Sequence, residues 1–253
     1  EKKIKSKSVH VIGLGCGGGQ KDAKLLGLLK SRGKKIFYAP CDVSSAMVLV
    51  AREAALAVLP EENCFPLVCD LATTSDLKNV SYEMEIKNAA RLITFFGMIP
   101  NFEPQMILPK LAALIRPKDS LLFSANLAPG KNYAAGVKKV LPQYDNPATH
   151  DWLMTFLLDL GVERNAGELL FEIKDGVGGL KRIVADFNFL RSRRIEIEDK
   201  CFEFRRGESI RLFFSYRYTP ELVRRLLEQH DLKVSGEWIA KSEEEGVFFC
   251  RRK

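Results

Sequence analysis

From Ser8 to Asn126 short apolar runs alternate with amphipathic helical stretches, and a chain with that rhythm closes its hydrophobic faces as repeated βα units around a parallel sheet. Five strands are predicted: Val9 to Leu14, Lys35 to Ala39, Phe65 to Cys69, Arg91 to Phe96 and Ser120 to Ser124. Between the second and third runs, Met47, Val50, Ala51, Ala54, Ala55 and Val58 recur at helical spacing, which predicts one stripe packed on the sheet. Ser44 or Ser45 is its expected N-cap.

After Pro129-Gly130 the rhythm changes. A helical stretch around Trp152 to Leu160 is followed by strand-like segments at Leu169 to Ile173, Arg182 to Phe189, Ile195 to Phe204 and Ile210 to Tyr218, expected to form antiparallel hairpins. The tail resumes the first style, with a helix opened by Thr219-Pro220 and strands at Leu232 to Ile239 and Val247 to Arg251. At 253 residues, the expectation is one α/β domain, residues 1–130 and 215–253, interrupted by an α+β subdomain at residues 131–214.

Composition narrows the function classes. Hydrophobic residues make up 46% of the chain and charged residues 28%, without an apolar run near the roughly 18 residues of a membrane helix. The net charge of +7 permits an acidic partner. Much of it lies in Lys2, Lys3, Lys5 and Lys7 and in Arg251, Arg252 and Lys253, or among carboxylates such as Glu196, Glu198, Asp199, Glu203 and Glu208. The excess is therefore read as solubility and cross-strand pairing rather than nucleic-acid binding. The chain opens at Glu1 without an initiator methionine, which leaves room for residues upstream, and its polar start does not form a secretory signal. Cys16, Cys41, Cys64, Cys69, Cys201 and Cys250 form no C-x-x-C pair and read as reduced, mostly buried thiols of a cytoplasmic protein. With His10, His150 and His230 far apart, no metal site is expected.

The first strand runs into Val11-Ile12-Gly13-Leu14-Gly15-Cys16-Gly17-Gly18-Gly19-Gln20 and then a helix. Glycines let such a turn approach a ligand that any Cβ would repel. Taken as G-x-G-x-x-G on Gly13, Gly15 and Gly18, it is a dinucleotide fingerprint, with Asp42 at the second strand's end available to a ribose; that register belongs to an NAD-dependent oxidoreductase.

In the other register, Leu14-Gly15-Cys16-Gly17-Gly18-Gly19 resembles the L-G-C-G-x-G motif of class I S-adenosylmethionine (SAM) methyltransferases. The resemblance implies their Rossmann-like sheet and SAM as cofactor. It implies cofactor contacts from Gly15, Cys16, Gly17, Asp42, Val43, Asp70, Leu71, Phe96 and Gly97, with Asp42 on the ribose hydroxyls and Asp70 beside the adenine amino group. That superfamily carries an acidic residue two positions before the first glycine. This chain has Gly13 there, so that polar anchor is absent or comes from elsewhere.

Four ordered segments narrow the resemblance to the histidine Nα-methyltransferases of ergothioneine biosynthesis. They are Ala39-Pro40-Cys41-Asp42-Val43-Ser44, Phe95-Phe96-Gly97-Met98-Ile99-Pro100-Asn101-Phe102, Tyr144-Asp145-Asn146-Pro147-Ala148, and Phe204 to Ile210 followed by Ser215-Tyr216-Arg217-Tyr218-Thr219-Pro220. By that resemblance Asn101 and Tyr144 are the candidate catalytic residues and meet the substrate carboxylate, while Ser215 lies near its distal side chain. Two residues before that serine the family has a glutamate that reads the imidazole; here Phe213 takes its place in an apolar wall. The family's N-terminal aromatics are not in the sequence, and Met154-Thr155-Phe156-Leu157 replaces its F-N-x-N.

The expectation is thus a SAM-dependent N-methyltransferase turned to a small amino-acid-like or amine substrate other than histidine. The rivals are a noncatalytic SAM-binding homologue, an NAD-dependent oxidoreductase, and an RNA methyltransferase using the arginines between Arg182 and Arg217. The oligomeric state is not legible in the sequence.

Overall fold

Parallel strands need crossovers, and the helices between the first five apolar runs supply them. In a computed structural model that describes residues 4–73 and 86–253, the chain divides into two compact units. One unit comprises Glu1–Ala125, Pro220–Lys241 and Glu245–Lys253, and the other Asn126–Thr219 and Ser242–Glu244. Lys2 and Lys3 of the basic start lie outside the described residues.

The first unit is built on a mainly parallel α/β sheet. Strands are numbered in chain order: β1 (Ser8–Leu14), β2 (Lys35–Asp42), β3 (Leu67–Val68), β4 (Ala90–Phe95) and β5 (Ser120–Asn126) come first, and β11 (Leu232–Ile239) and β12 (Glu245–Arg252) close the chain. The order across the sheet is β11-β12-β5-β4-β1-β2-β3. β1 pairs in parallel with β2 on one side and β4 on the other, so the strand order reverses at β1. Ligands of open α/β sheets bind outside the carboxyl ends of the strands at such a reversal. Leu14 is in register with both Cys41 and Phe95, which brings the glycine turn, Asp42 and Phe96 to one edge.

Helices α1 (Gln20–Ser31), α2 (Ser45–Leu56), α3 (Pro104–Leu114) and α6 (Pro220–Glu228) belong to this unit. Val9, Val11, Leu26, Ile36, Tyr38, Ala55 and Leu92 form one buried cluster of its core. Each large apolar side chain so buried contributes roughly 1.5–3 kcal/mol. Ser44 caps α2 by accepting from the Met47 amide at 3.3 Å. The stripe that meets the core is Val48, Ala51 and Ala55; Met47 and Val50, expected within it, are exposed. The third strand is shorter than expected, although the Phe65 and Cys69 amides flanking it still donate to Tyr38 O and Asp42 O of β2 at 2.8 and 2.9 Å.

In the second unit α4 (Tyr133–Val140) and α5 (Pro147–Asp159) pack on an antiparallel sheet of order β10-β7-β6. Its strands are β6 (Gly167–Asp175), β7 (Lys181–Phe189) and β10 (Ser209–Arg217). The segment expected as one run from Ile195 is a hairpin, β8 (Arg193–Ile197) and β9 (Lys200–Phe204), turning at Glu198 with φ 53°. β10 carries a bulge: Arg211 pairs with Asp186 and Phe213 with Ala185, leaving Leu212 as the extra residue. Beyond it, Tyr218 donates its amide to Asn126 O at 2.9 Å and accepts from the Ala128 amide at 2.9 Å, tying down the strand's end.

Charge pairing differs in its partners from the expectation. Arg194 meets Glu196 at 3.0 Å, but Arg191 and Arg193 share Glu163, Lys181 meets Asp175, and Lys174 meets Asp186. Glu196 lies on Arg194's own strand, whereas Asp175 and Asp186 reach their bases from the neighbouring strand and Glu163 from the loop after α5. Among the described residues no helix is long and apolar enough to cross a membrane.

Candidate active site

The turn after β1 selects between the two registers. Gly15, Gly17 and Gly19 take positive φ (61°, 50° and 73°), whereas Gly13 and Gly18 do not, so the glycines the backbone requires are those of L-G-C-G-x-G. A Cβ on Gly15 would stand 2.6 Å from Met98 Cγ, so only glycine lets the turn lie against that side chain. Gly15, Gly17, Asp22, Thr94, Phe96 and Met98 are among the residues lining a cavity of about 290 Å³ at this edge.

Asp42 closes the turn. Its Oδ2 accepts from the Gly17 amide and its Oδ1 from the Ser44 amide, each at 3.0 Å. The Cys16 amide donates to Cys41 O at 3.0 Å, fastening the turn to β2. Burial, with Asp42 and Asp22 adding to it, pushes the Cys16 thiol up to about 12, so it stays protonated and is no nucleophile at neutral pH. Asp70 accepts from the Ala72 amide at 2.8 Å and the Thr73 hydroxyl at 2.7 Å, and these bonds, the hydroxyl's first, hold its carboxyl below the usual range. Val43 is exposed and Leu71 buried. The Gly97 amide donates to Ser124 Oγ at 2.7 Å, which fixes the loop after β4. Asn101, an exposed residue, ends the short helical turn Ile99–Asn101, two residues before Glu103, the N-cap of α3.

The sequence reading passed over Asp22, in the first turn of α1. It is 4% exposed, and its carboxylate accepts from Tyr38 Oη and Thr94 Oγ1, each at 2.8 Å. Burial outweighs those two bonds and raises its pKa.

In the second unit, Tyr144, Phe213 and Ser215 come together. The rings of Tyr144 and Phe213 are 5.6 Å apart at their centroids, Trp152 meets Phe213 edge-on at 6.5 Å, and Tyr144 Oη lies 3.3 Å from Ser215 Oγ. Arg217, at the end of the arginine-rich stretch for which cross-strand pairing is expected, departs from that expectation. Arg217 is 3% exposed, donates to Tyr144 Oη and lies over its ring at 5.1 Å, and no carboxylate pairs with it among the described residues. Its Nε has no hydrogen-bond partner. Sequence spacing could have suggested it, since residues 213, 215 and 217 share one face of a strand.

The residues present fit SAM: a glycine cradle, a carboxylate at the end of β2, and a buried carboxylate in the cavity wall. Comparison with known proteins agrees. The family described as histidine-specific, SAM-dependent methyltransferase matches residues 1–157 and 179–252. No curated protein matches the sequence. Among solved structures, the mitomycin 7-O-methyltransferase MmcR is 15% identical with a TM-score of 0.51, covering 98% of this chain and 50% of that one. LepI in complex with SAM is 10% identical with a TM-score of 0.50, covering 100% of this chain and 46% of that one. The CcbJ methyltransferase from Streptomyces caelestis is 12% identical with a TM-score of 0.48, covering 98% and 90%. This chain thus spans about half the length of MmcR and of LepI, and what it shares with them is the fold.

Proposed function

The chain belongs to the family of histidine-specific, SAM-dependent methyltransferases, and from that membership we propose that it methylates a nitrogen of a small, carboxylate-bearing, amino-acid-like substrate other than histidine. The observation that carries the reading is Arg217. A buried guanidinium without a carboxylate costs several kcal/mol, and a substrate carboxylate supplies the missing partner through a charge-assisted, forked pair. Because Arg217 donates to Tyr144 Oη, the tyrosine keeps its own proton to donate to Ser215 or to the substrate. Asn101, an exposed residue of the first unit, is assigned to the substrate by the family resemblance alone.

When bound, SAM supplies a methyl group activated on a sulfonium. The chain's own contribution is to bind, orient and desolvate a neutral amine, with Asn101 and Tyr144 as positioning groups. Phe213 argues against histidine. A site that reads an imidazole N–H needs an acceptor, and the ring of Phe213, packed against Tyr144 and Trp152, has none. We assign cofactor contacts to Gly15, Cys16, Gly17, Asp42, Val43, Asp70, Leu71, Phe96 and Gly97, and substrate reading to the second unit.

The test is release of S-adenosylhomocysteine by the purified protein against a panel of amino acids, histidine included, and their carboxamides. Turnover of acids but not amides supports the reading. Histidine as best substrate, or amides turned over as well as acids, defeats it. SAM binding without turnover of any member would leave the noncatalytic homologue standing.

A further inference from the structure

The position two residues before the first motif glycine, acidic in related methyltransferases, is Gly13 here, yet the space its side chain would fill is taken by a carboxylate. A Cβ built on Gly13 would stand 2.3 Å from Asp22 Oδ2. Asp22 reaches that spot from α1, and two neighbouring strands hold it there through Tyr38 on β2 and Thr94 on β4. It is buried, it lines the same cavity as Gly15 and Gly17, and no cation pairs with it among the described residues. The adjacent Lys21 is turned to Glu245 at 2.6 Å.

A buried carboxylate without a cation is costly, and neutral hydroxyl donors offset only part of that cost. Each oxygen of Asp22 accepts one hydroxyl hydrogen bond and keeps lone-pair capacity for a further donor. SAM brings two positive groups, a sulfonium and an α-ammonium. Only the ammonium carries N–H donors, and only the sulfonium has to stay open to an incoming substrate.

We propose that Asp22 is the binding residue for the α-ammonium of the cofactor, a carboxylate moved from strand β1 to helix α1, with Gly13 kept free of a side chain to admit it. The assignment rests on the cofactor of the family and is independent of the substrate proposed above. Gly13 and Asp22 thereby act as one unit: the glycine is a vacancy shaped for the aspartate.

Calorimetry on Asp22→Asn tests this with three ligands. SAM and S-adenosylhomocysteine both carry the ammonium, whereas methylthioadenosine keeps the nucleoside and lacks the amino-acid end. Asparagine preserves the side chain's shape and can still accept from a hydroxyl, so the pocket is retained while the charge is removed. The expected result is affinity for SAM and S-adenosylhomocysteine lowered about tenfold or more, with methylthioadenosine within about twofold. An equal loss for all three ligands, no loss for any, or a loss confined to SAM overturns the proposal; the last of these would point to the sulfonium. A second variant, Gly13→Asp with Asp22→Ala, returns the carboxylate to the strand. It is expected to recover most of the S-adenosylhomocysteine affinity lost in Asp22→Ala alone, and failure to recover any counts against the exchange.

Discussion

The guanidinium of Arg217 lies over the ring of Tyr144, 5.1 Å from its centroid, and donates to the same residue's hydroxyl. One buried cation therefore fixes both the plane of the ring and the direction of its O–H. Arg217→Met removes a charge that has no carboxylate partner among the described residues, so the ligand-free protein is expected to keep or raise its Tm. The same change should cost about 2–5 kcal/mol of binding for a carboxylate substrate, seen as a KM increase of at least about tenfold. Thermal melts and steady-state kinetics on one preparation check both halves, and a lower Tm with unchanged KM would assign Arg217 to structure alone.

Asp42 binds the turn whatever it does to a ligand. Replacing it by alanine leaves the Gly17 and Ser44 amides without their acceptor, with an expected loss of about 1–3 kcal/mol in stability as well as at least tenfold in SAM affinity. Gly15→Ala is expected to abolish SAM binding, because a Cβ meets Met98 and the backbone sits at φ 61°. Pairing it with Met98→Ala should relieve the collision and leave the strain, recovering binding only in part. Denaturation curves and calorimetry measure these effects.

Phe213→Glu reinstates the acceptor that the related histidine enzymes carry at this position. Histidine binding or turnover should appear or rise about tenfold or more relative to the parent, at the expense of the packing against Tyr144 and Trp152. Unchanged discrimination between histidine and its neighbours on the panel would show that Phe213 does not set specificity.

The strands were legible because their burial follows from apolar runs of the right length, and the turn because glycine at positive φ leaves a spaced pattern. Other features depend on relationships that run across the chain. The phase of α2 was misplaced because Met47 and Val50 are apolar and exposed, whereas Val48 faces the core. Helix α4 is short and follows Asn132, whose side chain caps it by accepting from the Ala135 amide at 2.9 Å, a signal weaker than a long stripe. Asp22 escaped notice because a motif counts residues along the chain, while this carboxylate arrives from the next element. Arg217 looked like one base among many until its surroundings showed that no acid among the described residues answers it.

His10 gives the protein a pH-dependent stability. It is wholly buried, its ring nitrogens have no hydrogen-bond partner, and burial, with Arg91 second, lowers its pKa from 6.5 to about 4. Between these values the unfolded chain holds a proton on His10 that the folded chain does not, so the His10 contribution to stability is expected to be complete above pH 6.5 and to be lost as pH falls toward 4. The slope is about 1.4 kcal/mol per pH unit, about 3 kcal/mol in all. Denaturation of His10→Phe across that window should lack this component, and parallel curves for parent and variant would refute it.

The bulge at Leu212 has a consequence for how this chain tolerates change in length. Downstream of it, Phe213, Ser215 and Arg217 keep their pairing with β7 and are anchored by the bonds of Tyr218. Upstream lies the hairpin of β8 and β9. Side-chain alternation in a strand is a reading frame, and a residue gained or lost shifts it unless an irregularity absorbs the slip. Leu212 is that point in β10, so the end of the strand that carries Phe213, Ser215 and Arg217 is insulated from insertions and deletions in the hairpin, which is free to change length without scrambling their register.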